Sequence, residues 1–398
     1  MAQNSVFSQI IKLIPRREFE KSVRKHHGDK KVRSFNCWSW FGSLLFSQLS
    51  GHDSIRSLER LFAIGNKEFR KLGFSDRIRK STLADANHKR PVVILEEIFQ
   101  NTLKLLEKHP HRKSSFKFQS PVFALDSSFI RLCLTLCPWS YFSSSDEKRK
   151  RPAFGGIKLH TAIDLAGEIP EFVHLKTGTG HVNVDHQVSL EHFHFKKGSV
   201  VVMDRGYWKT EYLSELTSQG VFFVTRQLKR LKFRVAKSRK VDRTRGHLCD
   251  QDIYLTGKKI KNSYAHGKLR RIVYRDPETN KDITFITNRF DLATQTIADL
   301  YKSRWRVELF FKCLKQNLKI KKFLGFSENA VKAQVWVALI AYMLLQYLRL
   351  TMRSCISMPD TKAVIGTLLL LKLPLKTLLG KLPDTKRHPP PLQLRLNF

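Results

Sequence analysis

Two apolar runs in this chain each end on an aspartate. Val122-Phe-Ala-Leu leads into Asp126, and Val200-Val-Val-Met leads into Asp204. Runs this rich in β-branched and aromatic residues, bounded by Ser, Gly or charge, read as strands. Removing a carboxylate from water at the end of such a strand is costly unless a cation or hydrogen bonds compensate. Either each Asp caps a turn through its own side chain, or two neighbouring strands bring two carboxylates to one point. The second alternative restricts the fold to a sheet in which both runs lie close together.

A third carboxylate fits that sheet if a helix packs beside it. In YKSRWRVELFFKCLKQ, Tyr301, Arg304, Glu308 and Lys315 stand at i, i+3, i+7 and i+14. At ~100° per residue these four fall within an arc of roughly 60°. Leu300, Val307, Phe311, Leu314 and Leu318 form a neighbouring stripe, offset by about 110°, that would bury the helix. A lone helical Glu is ordinarily a solvated charge. Four polar groups on one stripe beside the buried face point instead to a site at the edge of the core.

The chemistry suits these groups. Mg²⁺ is bound by a few carboxylates together with water and substrate phosphates, and Mn²⁺ would serve in its place. Two such ions ~3.5–4 Å apart would be bridged by Asp126, with Asp204 and Glu308 completing the shell. They can activate a water or a 3′-hydroxyl and stabilise the oxygen that leaves a phosphodiester. Tyr301, Arg304 and Lys315 would add phosphate donors along the helix, Arg gripping bidentately.

The partner follows from charge. Seventy-two Lys and Arg stand against 34 Asp and Glu, a net charge of +38. A folded chain so basic repels itself unless a polyanion neutralises it, and nucleic acid is the default partner. The basic residues run along the whole chain and flank no single amphipathic anchor, which disfavours a membrane surface. The longest apolar run, Val335 to Leu345, falls short of the ~18 residues of a membrane span. The N-terminus carries no secretory signal pattern. Six Cys without a CxxC pair read as reduced thiols of a cytosolic protein.

Along the chain, residues 1–118 read as helical. Helical spacing of Trp38, Phe41, Leu45 and Leu49 ends at Gly51, a typical C-terminal cap, and Asp53 or Ser54 could cap a short helix carrying Ile55, Leu58 and Phe62. STLADANHKR and a helix from Val92 to Lys108 follow. The short helices fit a helix-turn-helix reader of DNA or a plain helical bundle. From 119 to 354, strands at 121–128, 155–165, 168–178, 199–207 and 221–227 alternate with helices near Val184–His194 and Trp208–Gln219, an α/β pattern on a mixed sheet. Residues 228–288 break that rhythm as a basic β-rich insertion. Helices return at Leu292–Leu318 and about Ala330–Leu350. Residues 355–398 give a C-terminal helix and a basic, Pro-rich tail.

Other constellations carry less. His181, His186, His192 and His194 match no common zinc spacing. Asp164 sits at a hairpin turn and Asp185 early in a helix. KTGTGH at 176–181 lacks the Lys-Ser/Thr continuation of a phosphate loop.

Taken together these residues resemble the RNase H-like DDE transposases of bacterial insertion sequences, in the group marked by a Tyr-Arg-Glu-Lys signature (the IS-four group). Its Y-x2-R-x3-E-x6-K pattern matches Tyr301, Arg304, Glu308 and Lys315 at every spacing, and its Asp-Arg-Gly-Tyr motif matches Asp204 to Tyr207. The family's first Asp corresponds to Asp126 in ALDSS. A β-strand insertion ahead of the Glu helix accounts for the long interval from 204 to 308. IPRREFE, CWSWF, FSQLSG and STLADAN resemble a helical domain that precedes the catalytic core in one branch.

The resemblance implies an RNase H-like mixed-sheet core with a β-rich insertion and an N-terminal helical DNA-binding domain. It implies a Mg²⁺-dependent transposase with catalytic and metal-binding Asp126, Asp204 and Glu308. Such an enzyme cuts at terminal inverted repeats and joins the freed 3′ ends to target DNA by transesterification. Its partners are double-stranded element ends and target DNA, held by a homodimer or larger synaptic complex on the nucleoid in the cytoplasm. Arg205, Tyr207 and Trp305 join Tyr301, Arg304 and Lys315 as expected DNA contacts. Some relatives form hairpin ends with a Trp in the insertion; residues 228–288 contain none. An RNase H-like nuclease or resolvase without strand transfer, and a catalytically silent DNA-binding repressor, stay open as alternative functions.

Overall fold

The computed structural model describes residues 4–75, 78–107, 109, 116, 118–142, 154–178, 192–256, 264, 266–318, 320 and 322–380. Two compact units emerge. One comprises Met1–Arg112 with Cys313–Phe398, the other Lys113–Lys312.

The second unit is built on one ten-stranded sheet. Its strands are β1 Val122–Leu132, β2 Tyr141–Phe142, β3 Phe154–Asp164, β4 Ile169–Thr177, β5 Val200–Met203, β6 Phe222–Arg226, β7 Phe233–Ser238, β8 His247–Leu255, β9 Lys268–Arg275 and β10 Asp282–Thr287. β3 lies antiparallel between β1 and β4, while β5 and β6 run parallel to β1 on its other side. A central strand with an antiparallel hairpin on one side and parallel strands on the other is the RNase H-like arrangement, here reading β4-β3-β1-β5-β6. The short parallel strands are apolar on both faces, as burial on both sides demands. Val200 to Met203 are all buried.

The basic insertion does not form a separate sheet. β10 pairs antiparallel with β6, and β9, β8 and β7 follow in a meander, so the insertion prolongs the catalytic sheet. β7 forms the open edge and is exposed from Arg234 onward; the charged side chains there discourage edge-to-edge pairing. Inside the insertion, Asp250 and Arg270 form a buried ion pair, Nη2 to Oδ2 2.7 Å, and Arg239 Nη1 donates to Asp250 Oδ1 at 2.9 Å. Arg270 Nη1 also donates to the carbonyl of Leu292 at 2.5 Å, and Thr294 Oγ1 donates to Asp250 Oδ2 at 3.2 Å. That network holds the start of the Thr294–Ser303 helix.

Two expectations are corrected here. The strand expected over 199–207 stops at Met203, because Arg205–Tyr207 is a 3-10 turn closed by Tyr207 N–H on the Asp204 carbonyl, 3.1 Å. The single helix expected over Leu292–Leu318 is instead Thr294–Ser303, Trp305–Lys312 and a π-helical turn Cys313–Asn317. At Arg304 the bonds shorten to i→i+3 spacing: Arg304 N to Tyr301 O, and Val307 N to Arg304 O. The helix expected near Val184–His194, the His pair 181 and 186, Asp185 and the Pro-rich tail lie outside the described residues, apart from 192–194. Asp164 accepts from Gly167 N–H at 2.9 Å, the turn role its sequence setting suggests.

The other unit is helical. Asn36 caps Cys37–Ser50 through its side chain, and Gly51 ends it at φ 80°, a left-handed conformation that glycine adopts at no steric cost. Ile55–Ile64, Lys80–Lys89 and Val93–Glu107 follow. The helix Glu328–Thr351 belongs to this unit and packs against Cys37–Ser50, Lys80–Lys89 and Val93–Glu107, whereas the sequence boundary at 354 groups it with the catalytic segment. It is long and apolar enough to cross a membrane, but 89% of its apolar window is buried inside the protein. Its polar groups are matched: Trp336 Nε1 donates to Glu96 at 3.1 Å and Asn329 Nδ2 to the carbonyls of Asn87 and Arg90.

Candidate active site

The register of three parallel strands builds the site. Leu125, Met203 and Thr225 are neighbours across β1, β5 and β6. The residue after each is therefore Asp126, Asp204 and Arg226, one charged row across the sheet. Period-two alternation puts all three on the same face. On that face, the helix Trp305–Lys312 packs against β1 and brings Glu308.

Arg304 ties two of the carboxylates together. Its Nη1 donates to Asp126 Oδ2 and its Nη2 to Glu308 Oε1, both at 2.6 Å. Tyr301 O–H donates to Asp204 Oδ1 at 3.4 Å, and the Tyr301 ring lies 5.0 Å from that of Phe285, the β10 partner of Arg226. Asp126 Oδ1 accepts the Ser127 N–H at 2.8 Å. The five residues Asp126, Asp204, Tyr301, Arg304 and Glu308 thus meet on one face of the sheet, over β1 and the end of β5.

Their electrostatics record crowding. Burial pushes the Asp126 carboxyl up to about 6; Arg304 and the Ser127 amide pull it down, and Glu308 and Asp204 push it up again. Burial, reinforced by Asp204, pushes the Tyr301 hydroxyl up to about 12. Burial disfavours the Arg304 charge, but Asp126, Tyr301 and Glu308 outweigh it and hold the guanidinium firmly protonated.

Two carboxylates on one buried cation, with Asp204 held by Tyr301 nearby, form a set of hard oxygen donors suited to a divalent metal. Among the described residues, no three of His, Cys, Asp and Glu already stand close enough to cage an ion. Arg304 lies between Asp126 and Glu308, and Mg²⁺ takes much of its shell from water and phosphate rather than from a full protein cage. The donor set fits, provided Arg304 gives way.

The remaining expected contacts fall differently. Trp305, three residues before Glu308, is 48% exposed, and Leu309, one helical turn on from Trp305, is 42% exposed. Arg205 is half-buried in its 3-10 turn. Tyr207 is a correction: it is 2% exposed and turned into the core, where its hydroxyl shares a 3.0 Å hydrogen bond with His160 Nδ1. It offers no surface to DNA. Lys315 lies in the π-helical turn, in the other unit, where the 100° step used to align it with Glu308 no longer applies. Of the histidines singled out, His192 stacks on His174 at 3.9 Å and His194 is exposed.

Arg226 escaped the sequence reading. The signal was present: VFFVTR ends on a charge as VVVMD and VFALD do, but nothing in one sequence fixes the register between them.

A model of the transposase DDE domain matches residues 117–344. This chain belongs to the DDE transposase family. Residues 2–75 match a second model, Domain of unknown function (DUF4372). A protein of Geobacillus stearothermophilus, named as a probable transposase for insertion sequence element IS5377, is 29% identical over 68% of this chain and 68% of its own. A protein of Sinorhizobium fredii named as a transposase, y4zB, is 28% identical over 66% of this chain and 70% of its own. A protein of Synechocystis named as a transposase for IS4SA is 27% identical over 67% and 71%. A looser likeness, TM-score 0.46 at 11% identity over 95% of this chain and 80% of the other, is to piggyBac transposase in a synaptic complex with hairpin DNA. The DDE transposase is thus of the bacterial insertion-sequence kind, a family of polynucleotidyl transferases.

Proposed function

We propose that this transposase binds the terminal inverted repeats of its own insertion sequence, cuts them, and joins the freed 3′ ends to target DNA, with Asp126, Asp204 and Glu308 as its metal-binding catalytic residues. The observation that carries this is the register row Asp126–Asp204 with Glu308 drawn to it through Arg304. Mg²⁺ at those carboxylates, with Mn²⁺ able to substitute, supplies activation of the attacking water or 3′-hydroxyl and neutralises the leaving oxygen.

The protein's own groups do the rest. Arg304, released from its carboxylates, and Arg226 grip backbone phosphate; Tyr301 steadies Asp204; Lys315 and Arg205 add cationic contacts; Trp305 offers an exposed ring on which a base can stack. The basic surface gathers DNA by counterion release. The helices of residues 1–118 contribute DNA binding, and a homodimer holds two element ends on the nucleoid in the bacterial cytoplasm.

The test incubates purified protein and Mg²⁺ with the gene in its native flanking DNA and maps new 3′ ends to the nucleotide. Breaks at paired inverted termini, absent with Asp204→Asn, support the proposal. Scattered breaks, or breaks confined to branched DNA, favour a nuclease. No breaks with tight, salt-sensitive binding favour a silent repressor.

A further inference from the structure

The Asp204-Arg205-Gly206-Tyr207 turn carries a metal-binding carboxylate at its first position and a buried tyrosine at its last. Tyr207 N–H closes the turn on the Asp204 carbonyl at 3.1 Å. Its side chain passes to the opposite face of the sheet, among Phe123, Leu125, Ala162 and Met203, and ends on His160. His160 is wholly buried on β3 and pairs with Ser127 on β1, the residue after Asp126. The two rings meet edge to face, 6.2 Å apart at 89°. Because β1 lies between β3 and β5, this one hydrogen bond spans the strand that carries Asp126 and anchors the exit of the strand that delivers Asp204.

His160 is itself held in place. Its cross-strand neighbour on β4 is His174, which stacks on His192. Burial, then Lys158, His174, Lys176 and His192, drive its imidazole down to about 2, so it is a neutral ring at any working pH. A fixed neutral imidazole holds the Tyr207 hydroxyl in a defined geometry.

We infer that His160, acting through Tyr207, is a positioning residue that fixes Asp204 relative to Asp126 for metal binding. The inference rests on the assignment of Asp204 as a metal-binding carboxylate. A hydrogen-bonded group behind a ligand matters for metal affinity because it sets ligand orientation before the ion arrives. A pair with no role beyond packing would affect stability alone.

The experiment uses the full chain as wild type, Tyr207→Phe, His160→Gln, the double variant and Asp204→Asn. Free Mn²⁺ is titrated by electron paramagnetic resonance. Affinity for a duplex cut from the gene's own flank and the thermal midpoint are measured in parallel. Tyr207→Phe is expected to weaken Mn²⁺ binding roughly tenfold while duplex affinity stays at the wild-type value. The double variant is expected to be no weaker than the worse single variant, since one bond is lost in each. Should Tyr207→Phe fail to fold, His160→Gln, which keeps a polar group at that position, carries the same reading. Unchanged Mn²⁺ binding in both folded single variants, or additive losses in the double, overturns the inference. If Asp204→Asn itself binds Mn²⁺ as the wild type does, the active-site assignment falls and this inference falls with it. If only Asp204→Asn loses the metal, the positioning role alone is refuted.

Discussion

Arg304 Nη1 stands 2.6 Å from Asp126 Oδ2, and the same guanidinium reaches Glu308 with its other nitrogen. The cation sits between two of the three carboxylates that a metal would need. Charge-assisted bonds of this kind contribute roughly 1.5–3 kcal/mol each, so a metal must first displace them. Phosphate is the natural receiver of the released guanidinium. On the proposed assignment of these residues, DNA binding and metal loading are coupled through one side chain.

That coupling predicts opposite effects from one substitution. Arg304→Gln should bind Mn²⁺ at least about tenfold tighter without DNA, since displacing even one of the two bonds, at roughly 1.5 kcal/mol, corresponds to about a factor of ten. It should cleave more slowly, because the phosphate grip is gone. Mn²⁺ titration with and without duplex reads both: the wild type tightens its metal when DNA is added, and the variant does not. Equal metal affinity in the two DNA-free proteins would refute the coupling.

Removing a carboxylate should separate chemistry from binding. Asp126→Asn, Asp204→Asn and Glu308→Gln each keep side-chain shape while losing the carboxylate charge proposed to bind metal. Cleavage in Mg²⁺ should fall below detection. Affinity for flanking duplex should stay within about twofold, because phosphate contacts come from Lys and Arg. Gel-shift affinity measured beside 3′-end mapping decides it; loss of binding in all three would argue that they support the fold and not the reaction.

What the sequence disclosed, and what it withheld, follows from how far each signal reaches. Strands β1, β3, β4, β5 and β6 were legible because apolar runs and their boundaries are local. The two Asp residues and Glu308 were legible because acids in apolar runs and polar stripes on helices are local too. Register is not local, so Arg226 was missed although it ends its strand as visibly as Asp204. Tyr207 was misread for a related reason: a 3-10 turn has neither the two-residue nor the 3.6-residue period, and its side-chain direction depends on His160, 47 positions earlier in the chain. Glu328–Thr351 is apolar on every side, so its pattern could not say which helices it packs against.

The buried Asp250–Arg270 pair should prove structurally demanding. Asp250 also receives Arg239 and Thr294; removing it leaves Arg270 buried without its acid, while Arg239 keeps Asp252. Breaking one partner of such a pair costs about 3–5 kcal/mol, whereas replacing both with apolar residues is often neutral. Asp250→Ala should therefore lower the thermal midpoint steeply, and Asp250→Leu combined with Arg270→Met should recover much of it. Because this network holds the start of the helix bearing Tyr301, Asp250→Ala should also slow cleavage more than it weakens duplex binding. Midpoints of the single and double variants, with cleavage rates taken well below them, give the answer.

Salt dependence can apportion the DNA contacts residue by residue. Each phosphate neutralised by a cation adds about one unit to the slope of log affinity against log salt. Arg226→Ala and Lys315→Ala should each reduce that slope by about one, since each removes one cation assigned to phosphate. Trp305→Ala removes no charge and should leave the slope intact while weakening binding by roughly 1–3 kcal/mol, the magnitude of one base stacked on an aromatic ring. An unchanged slope for Arg226→Ala would mean that the third member of the charged row serves the protein alone. A fall in slope for Trp305→Ala would mean that its loss disturbs neighbouring cations instead of removing a stacking surface.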